Sequence, residues 1–334
     1  MDIYLQKALL QIVDRNQGEP VCSAVELDLT TEYVREYLTK KINGLSSGQT
    51  KLGQLKHGSA FVEYAKRLTA DFAESAASLT QHWYQTYQES EDGPSCDVFI
   101  CLYEADTELY LAFFKVNFHD AYTHYVEGSE AGIENQLILH RAILSGKTQK
   151  ADEGLLLKLS DLSYQLIEKK YTFSGEKRFY FSTAVLESAP LPSLDENVKV
   201  IKKVAEKIGE KFATPKYDIV AEVKEAVFTS ISETGVMQVE DIAEKVFHDN
   251  FSAKTAFKEE VLEKGFVDEA PIVEEIKKQP AKKFGKQKLK LSNGIELIVP
   301  VEVYKNPDLI EFINNPDGTI SVTIKNVEEV INRL

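Results

Sequence analysis

The chain is poor in sulfur and in imidazole. Its 334 residues include three cysteines, two methionines, one tryptophan and six histidines. Three cysteines, at 22, 96 and 101, are too few and too scattered for a disulfide framework. Cys96 and Cys101 are five apart, which is no C-x-x-C pair, so zinc and thiol redox chemistry are not expected. Reduced, buried thiols are the expectation. No apolar run approaches ~20 residues, which excludes a membrane-spanning helix. The opening stretch MDIYLQKALLQIVD has no basic segment ahead of an apolar one, so no secretory leader is expected. Positive charge is the minority: 39 basic against 53 acidic residues leave a net charge of −14. Such a body repels polyanions and stays soluble. Hydrophobic residues are 43% and charged residues 28%, an ordinary globular balance.

What is present reads as an α+β chain of two domains, residues 1–188 and 194–334. Residues 1–14 read as a strand and 29–43 as a helix. Phe61, Ala65, Leu68, Phe72, Ala76, Leu79, Trp83 and Tyr87 recur at spacings of three and four. That spacing predicts one long helix over 59–88, packed on a mixed or antiparallel sheet. Strands are predicted at 97–103 and 109–118, joined through Ala105-Asp106-Thr107, and at 135–144, 154–159 and 178–186. Ala189-Pro190-Leu191-Pro192-Ser193 marks a boundary. Beyond it, helices are predicted at 196–212 (ended by Pro215), 217–231, 239–248 and 252–264, the last stopped by Gly265. Asn293-Gly294 signals a hairpin. A three-residue loop keeps Leu289, Leu291, Ile295, Leu297 and Val299 on one face, so Lys290 should oppose Glu296. Asn315-Pro316-Asp317-Gly318 is a second turn. Asn326, with Glu329 three residues on, predicts a capped final helix.

Motifs that suggest chemistry fall short on inspection. Ser145-Gly146-Lys147-Thr148 ends like a phosphate-binding loop, but the glycine required five residues before Gly146 is Arg141. His119 and His124 bracket a strand-to-loop region without further ligands, so no metal or cofactor is expected. No serine sits in a G-x-S-x-G elbow. The helices at 239–248 and 252–264 have helix-turn-helix proportions. The second sets three lysines against three glutamates, which suits packing better than groove reading.

Charge is the informative pattern. Residues 276–290 carry seven lysines and no acid: Lys277, Lys278, Lys282, Lys283, Lys286, Lys288 and Lys290. Pro280 and Gly285 argue that part of this basic linker is loop. A second stripe, Lys199, Lys203, Lys207 and Lys211, recurs every four residues along one helix face. It can meet phosphate or the acidic 217–275 segment. Lysines on flexible stems suit phosphate contact without base reading.

The order of features resembles a known family. A helix ends in Phe257–Phe266, an acidic stretch Val267–Pro271 follows, and then come the lysine-rich segment and the hairpin Lys288–Val299. Asn315–Ile320 closes the run, and Leu155–Asp161 and Arg178–Phe181 are similar as well. The pattern resembles the bacterial 37 kDa nucleoid-associated proteins. That resemblance implies a cytoplasmic protein of the nucleoid, binding DNA, with no assigned enzyme activity. RNA is not excluded by charge alone. The alternative is an acidic adaptor that reaches the nucleoid by binding a DNA-processing enzyme. The aromatic-rich helix and strands offer more apolar surface than one small sheet covers, so a homodimer is expected.

Overall fold

The computed structural model describes residues 2–129, 132–212, 216–278, 280–304 and 306–331, without the side chains of 129, 216–218 and 282. The chain forms two compact units, Met1–Leu194 and Asp195–Leu334.

The first unit contains β1 (Tyr4–Val13), β2 (Val21–Cys22), α1 (Glu32–Gly44), β3 (Lys51–Gln54), α2 (Ala60–Arg67) and α3 (Phe72–Tyr87). There follow β4 (Cys96–Ala105), β5 (Glu108–Asn117), β6 (His119–Ser129), β7 (Gly132–Ile143), β8 (Glu153–Lys158), β9 (Ser163–Ile167), β10 (Lys170–Phe173) and β11 (Glu176–Phe179). Seven strands make one sheet in the order β2-β1-β4-β5-β8-β9-β3. Every pairing in it is antiparallel. Alternation along β4 sorts its side chains between two cores. Val98, Ile100 and Leu102 join α2 and α3 through Phe61, Phe72, Leu79 and Trp83. Phe99, Cys101 and Tyr103 join α1 through Leu38 and Ile42 on the other face. Helices on both faces explain why β4 and β5 are apolar at nearly every position.

The expected single helix over 59–88 is two helices. Asp71 caps the second, its side chain accepting from the Glu74 amide at 3.2 Å. The apolar stripe runs on across the break, because both helices lie on the same core. The β4–β5 turn is tighter than expected: Ala105 opposes Glu108, and Asp106 and Thr107 form it with φ of 50° and 65°. The strand predicted at 178–186 is absent beyond Phe179. A π-helical turn, Phe181–Val185, takes its place. Phe181, Ser182, Val185 and Leu186 are buried while Thr183 and Ala184 are exposed, a helical rather than a two-residue period. Cys96 and Cys101 are buried, but Cys22 is exposed, because β2 is a short edge strand.

The second unit contains α4 (Leu194–Lys211), α5 (Lys216–Thr234), α6 (Val239–Val246), α7 (Phe251–Glu263), α8 (Glu274–Lys278) and α9 (Pro280–Phe284). It ends with β12 (Lys286–Lys290), β13 (Glu296–Pro300), α10 (Val301–Tyr304), β14 (Ile310–Asn314) and β15 (Ile320–Ile324). Ile201 and Ile208 of α4, Val223 and Val227 of α5, Ile242 of α6 and Phe257 of α7 are all buried. Pro215, predicted to end α4, lies outside the described residues. Gly265 takes φ of 85° after α7, as a helix stop requires. The β12–β13 hairpin has the predicted register, with Lys290 opposite Glu296 and Leu289 opposite Leu297. Gly294 sits at φ 90°, and the Leu291 amide donates to Ile295 O at 2.8 Å across the three-residue loop. The final capped helix does not form over the described residues. Asn326 instead adopts φ of 55° and its side chain donates to Asp308 O at 3.1 Å. A helix of one or two turns gains too few hydrogen bonds to offset its nucleation.

Candidate nucleic-acid interface

Most of the lysine-rich segment is regular structure, α8, α9 and β12, with Gly285 outside helix and strand between the last two. Pro280 opens α9, where a missing amide costs nothing. Gly285 separates that helix from β12. A Cβ there would lie 2.6 Å from Ala281 O, so the tight junction requires glycine. Along β12, side chains alternate. Gln287 is buried and its amide donates to Ala221 O at 3.2 Å, which pins the strand to α5. Lys286, Lys288 and Lys290 therefore share the opposite, exposed face.

Tertiary contacts divide the seven lysines. Lys277 pairs with Glu274 at 2.9 Å and Lys290 with Glu296 at 3.7 Å. Lys283 pairs with Asp195 at the start of α4. Lys278, Lys286 and Lys288 are exposed and form no ion pair among the described residues. The side chain of Lys282 lies outside the described residues. Lys224 of α5, which the charge pattern did not single out, donates to Lys286 O. Burial and the nearby Lys288 charge push its ammonium below the ordinary lysine range.

The second stripe divides as well. Lys207 pairs with Glu260 of α7 at 2.6 Å, so part of this stripe meets the acidic segment. Lys199, Lys203 and Lys211 are exposed and without ion pairs among the described residues. Asp195, the partner of Lys283, lies one helical turn before Lys199 on the same face. The Lys283–Asp195 pair thus sets the lysine-rich segment at the head of the α4 stripe.

The other candidates resolve into packing. On α7, Lys254 pairs with Glu244 at 2.6 Å and Lys258 with Glu240 at 2.8 Å, leaving that helix no basic reading face. The Ser145–Gln149 turn is pegged to α1: buried Lys41 donates to Ser145 Oγ at 2.6 Å and to Gln149 O at 2.9 Å. His119 and His124 lie on β6, opposite Ile143 and Leu137. Among the described residues no cluster of three or more His, Cys, Asp or Glu side chains could hold a metal. Nor is any helix among them long and apolar enough to cross a membrane.

An antiparallel α+β unit is followed by a mostly helical unit that carries both lysine-rich stretches, the architecture of a two-unit α+β protein. The chain belongs to the nucleoid-associated protein YejK family, whose model matches residues 9–332. No curated protein matches it significantly.

Proposed function

We propose that the protein is a homodimeric, non-catalytic component of the cytoplasmic nucleoid that holds DNA by its phosphates, with little sequence preference. The observation that carries the reading is the exposed trio Lys278, Lys286 and Lys288, without acidic partners among the described residues, in a chain of net charge −14. Lys199 and Lys203, exposed on α4 one and two turns after Asp195, the partner of Lys283, are the next candidates. Lys277, Lys283 and Lys290 must first give up an acidic partner, so they add less. An ammonium is a point charge on a flexible stem, suited to backbone oxygens rather than bidentate base reading. Family membership supports the same reading.

A salt titration of duplex binding tests it. Each phosphate neutralised contributes about −0.9 to the slope of log K against log salt. With about five contacts the slope is roughly −4 to −5. Changing Lys278, Lys286 and Lys288 together to alanine should flatten it by about 3 and weaken binding to all sequences alike. The same change at Lys277, Lys283 and Lys290 removes equal formal charge but should flatten it by about 1 or less. Equal effects of the two triples would refute the partition. Absence of wild-type binding at low salt would refute direct contact and leave an adaptor.

A further inference from the structure

β6 and β7 form a two-stranded sheet of their own, apart from the seven-stranded sheet. Their register runs from His119 opposite Ile143 to Ser129 opposite Gly132. No described residue of this ribbon is buried. Pairing places Tyr122 against Leu139, His124 against Leu137, Val126 against Asn135 and Gly128 against Ile133, all on one face. That face is apolar and wet: Tyr122 is 69% exposed, Val126 54%, Ile133 80% and Leu137 75%. The opposite face pairs Thr123 with Ile138 and Tyr125 with Gln136, and sets Glu127 directly across from Glu134.

We propose that this ribbon joins two copies of the chain, its Tyr122–Leu137 face packed on the same face of a second copy about a two-fold axis. The proposal rests on the dimer reading above and not on the phosphate reading. Three arguments select the occupant. First, an isolated two-stranded ribbon is marginal in water, so it needs a cover whenever the chain is folded. A second copy is the partner whose supply always matches. Second, residues 119–143 carry Asp120, Glu127, Glu130 and Glu134 against Arg141 alone, so the ribbon repels phosphate. Third, the area fits. Full burial of an aliphatic side chain hides roughly 60–120 Å². The five apolar side chains of the face, Tyr122, Val126, Ile133, Leu137 and Leu139, therefore offer roughly 300–600 Å² per copy, toward the ~800 Å² per partner of a standard interface. An isologous contact uses one patch twice, which a single apolar face satisfies.

Light scattering on the full chain, with duplex binding measured alongside, tests this. The wild type should run at twice the 37.6 kDa chain mass at micromolar concentration. Ile133→Asp with Leu137→Asp should raise the dimer dissociation constant at least a hundredfold and give a monomer. Thr123→Asp, on the other face, should leave the dimer intact. The near-ultraviolet signal of Trp83, the chain's one tryptophan and fully buried, should be the same in all three proteins. A dimer that survives the double change would overturn the ribbon assignment but spare the dimer. A monomeric wild type would overturn both. Loss of DNA binding with the dimer retained would make the ribbon a nucleic-acid arm and end the proposal.

Discussion

Lys115 offers the sharpest test of how the first unit is held together. It lies on β5 directly opposite Glu153 of β8, and the two side chains are 1% and 0% exposed. The ammonium reaches Glu153 Oε2 at 2.8 Å, Tyr87 Oη at 2.9 Å and Tyr171 Oη at 2.7 Å, which uses all three donors. Glu153 also accepts from the Lys169 amide at 2.9 Å and from Tyr180 Oη at 3.2 Å, and Trp83 Nε1 donates to Tyr180 Oη at 2.9 Å. Burial raises all three phenols far above their usual range, so they stay protonated. Lys115→Met leaves a buried carboxylate without its counter-charge, a loss of about 3–5 kcal/mol. In a unit of this size that lowers Tm by roughly 8–15 °C. Adding Glu153→Leu to Lys115→Met removes the stranded charge, so the pair should cost less than the sum of the single changes by about 2 kcal/mol or more. Urea unfolding followed by Trp83 fluorescence measures all four proteins. A single-variant loss under about 1 kcal/mol, or simple additivity, would refute the coupling.

Asp97 is buried beside Tyr37 with Oδ1 unpartnered, and burial pushes its carboxyl up to about 6. The folded state therefore holds this proton where the unfolded chain has lost it, and stability falls as pH rises from about 4 to 6. Asp97→Asn should match the wild type below pH 4 and exceed it by about 3 kcal/mol at pH 7; a difference that stays flat across that range, measured by urea unfolding, would contradict this. Gly154 of β8 faces α1, and a Cβ there would sit 2.7 Å from Leu45 and 2.8 Å from Phe114 Cβ. Gly154→Ala should cost about 1–3 kcal/mol by overpacking, read from the same melt, and an unchanged midpoint would count against that packing.

The elements legible in the sequence are those whose local signal agrees with their tertiary role. The β12–β13 register follows from keeping Leu289 and Leu297 on one face, because only one loop length around Gly294 does so. The break between α2 and α3 escaped periodicity, since Leu68 and Phe72 keep the helical spacing through it. Asp71 with Glu74 three residues later was the available sign. β6 gives no clear strand signal because its alternation mixes aromatics with histidines and acids, as an uncovered ribbon does. Charge alone marks the lysine-rich segment, but not which lysines are free. Asp195 neutralises Lys283 across 88 positions of sequence, a contact that only the fold supplies.

The strand order has a consequence for synthesis. In the first unit β1 waits for β4, pairing Val13 with Cys96, and β3 finds its partner only in β9, pairing Lys51 with Leu166. The second unit takes more of its pairings from neighbours in sequence, α5 on α6, α6 on α7, β12 on β13 and β14 on β15, although α9 and β12 return to α5. Chains rich in distant pairings fold more slowly than those built from local ones. The ribosome thus releases the slow unit first. Until residue 167 emerges, β3 is an unpaired strand and the apolar face of α3 has only part of its sheet. The nascent chain then carries its greatest aggregation hazard, and demand for chaperones should peak at that length.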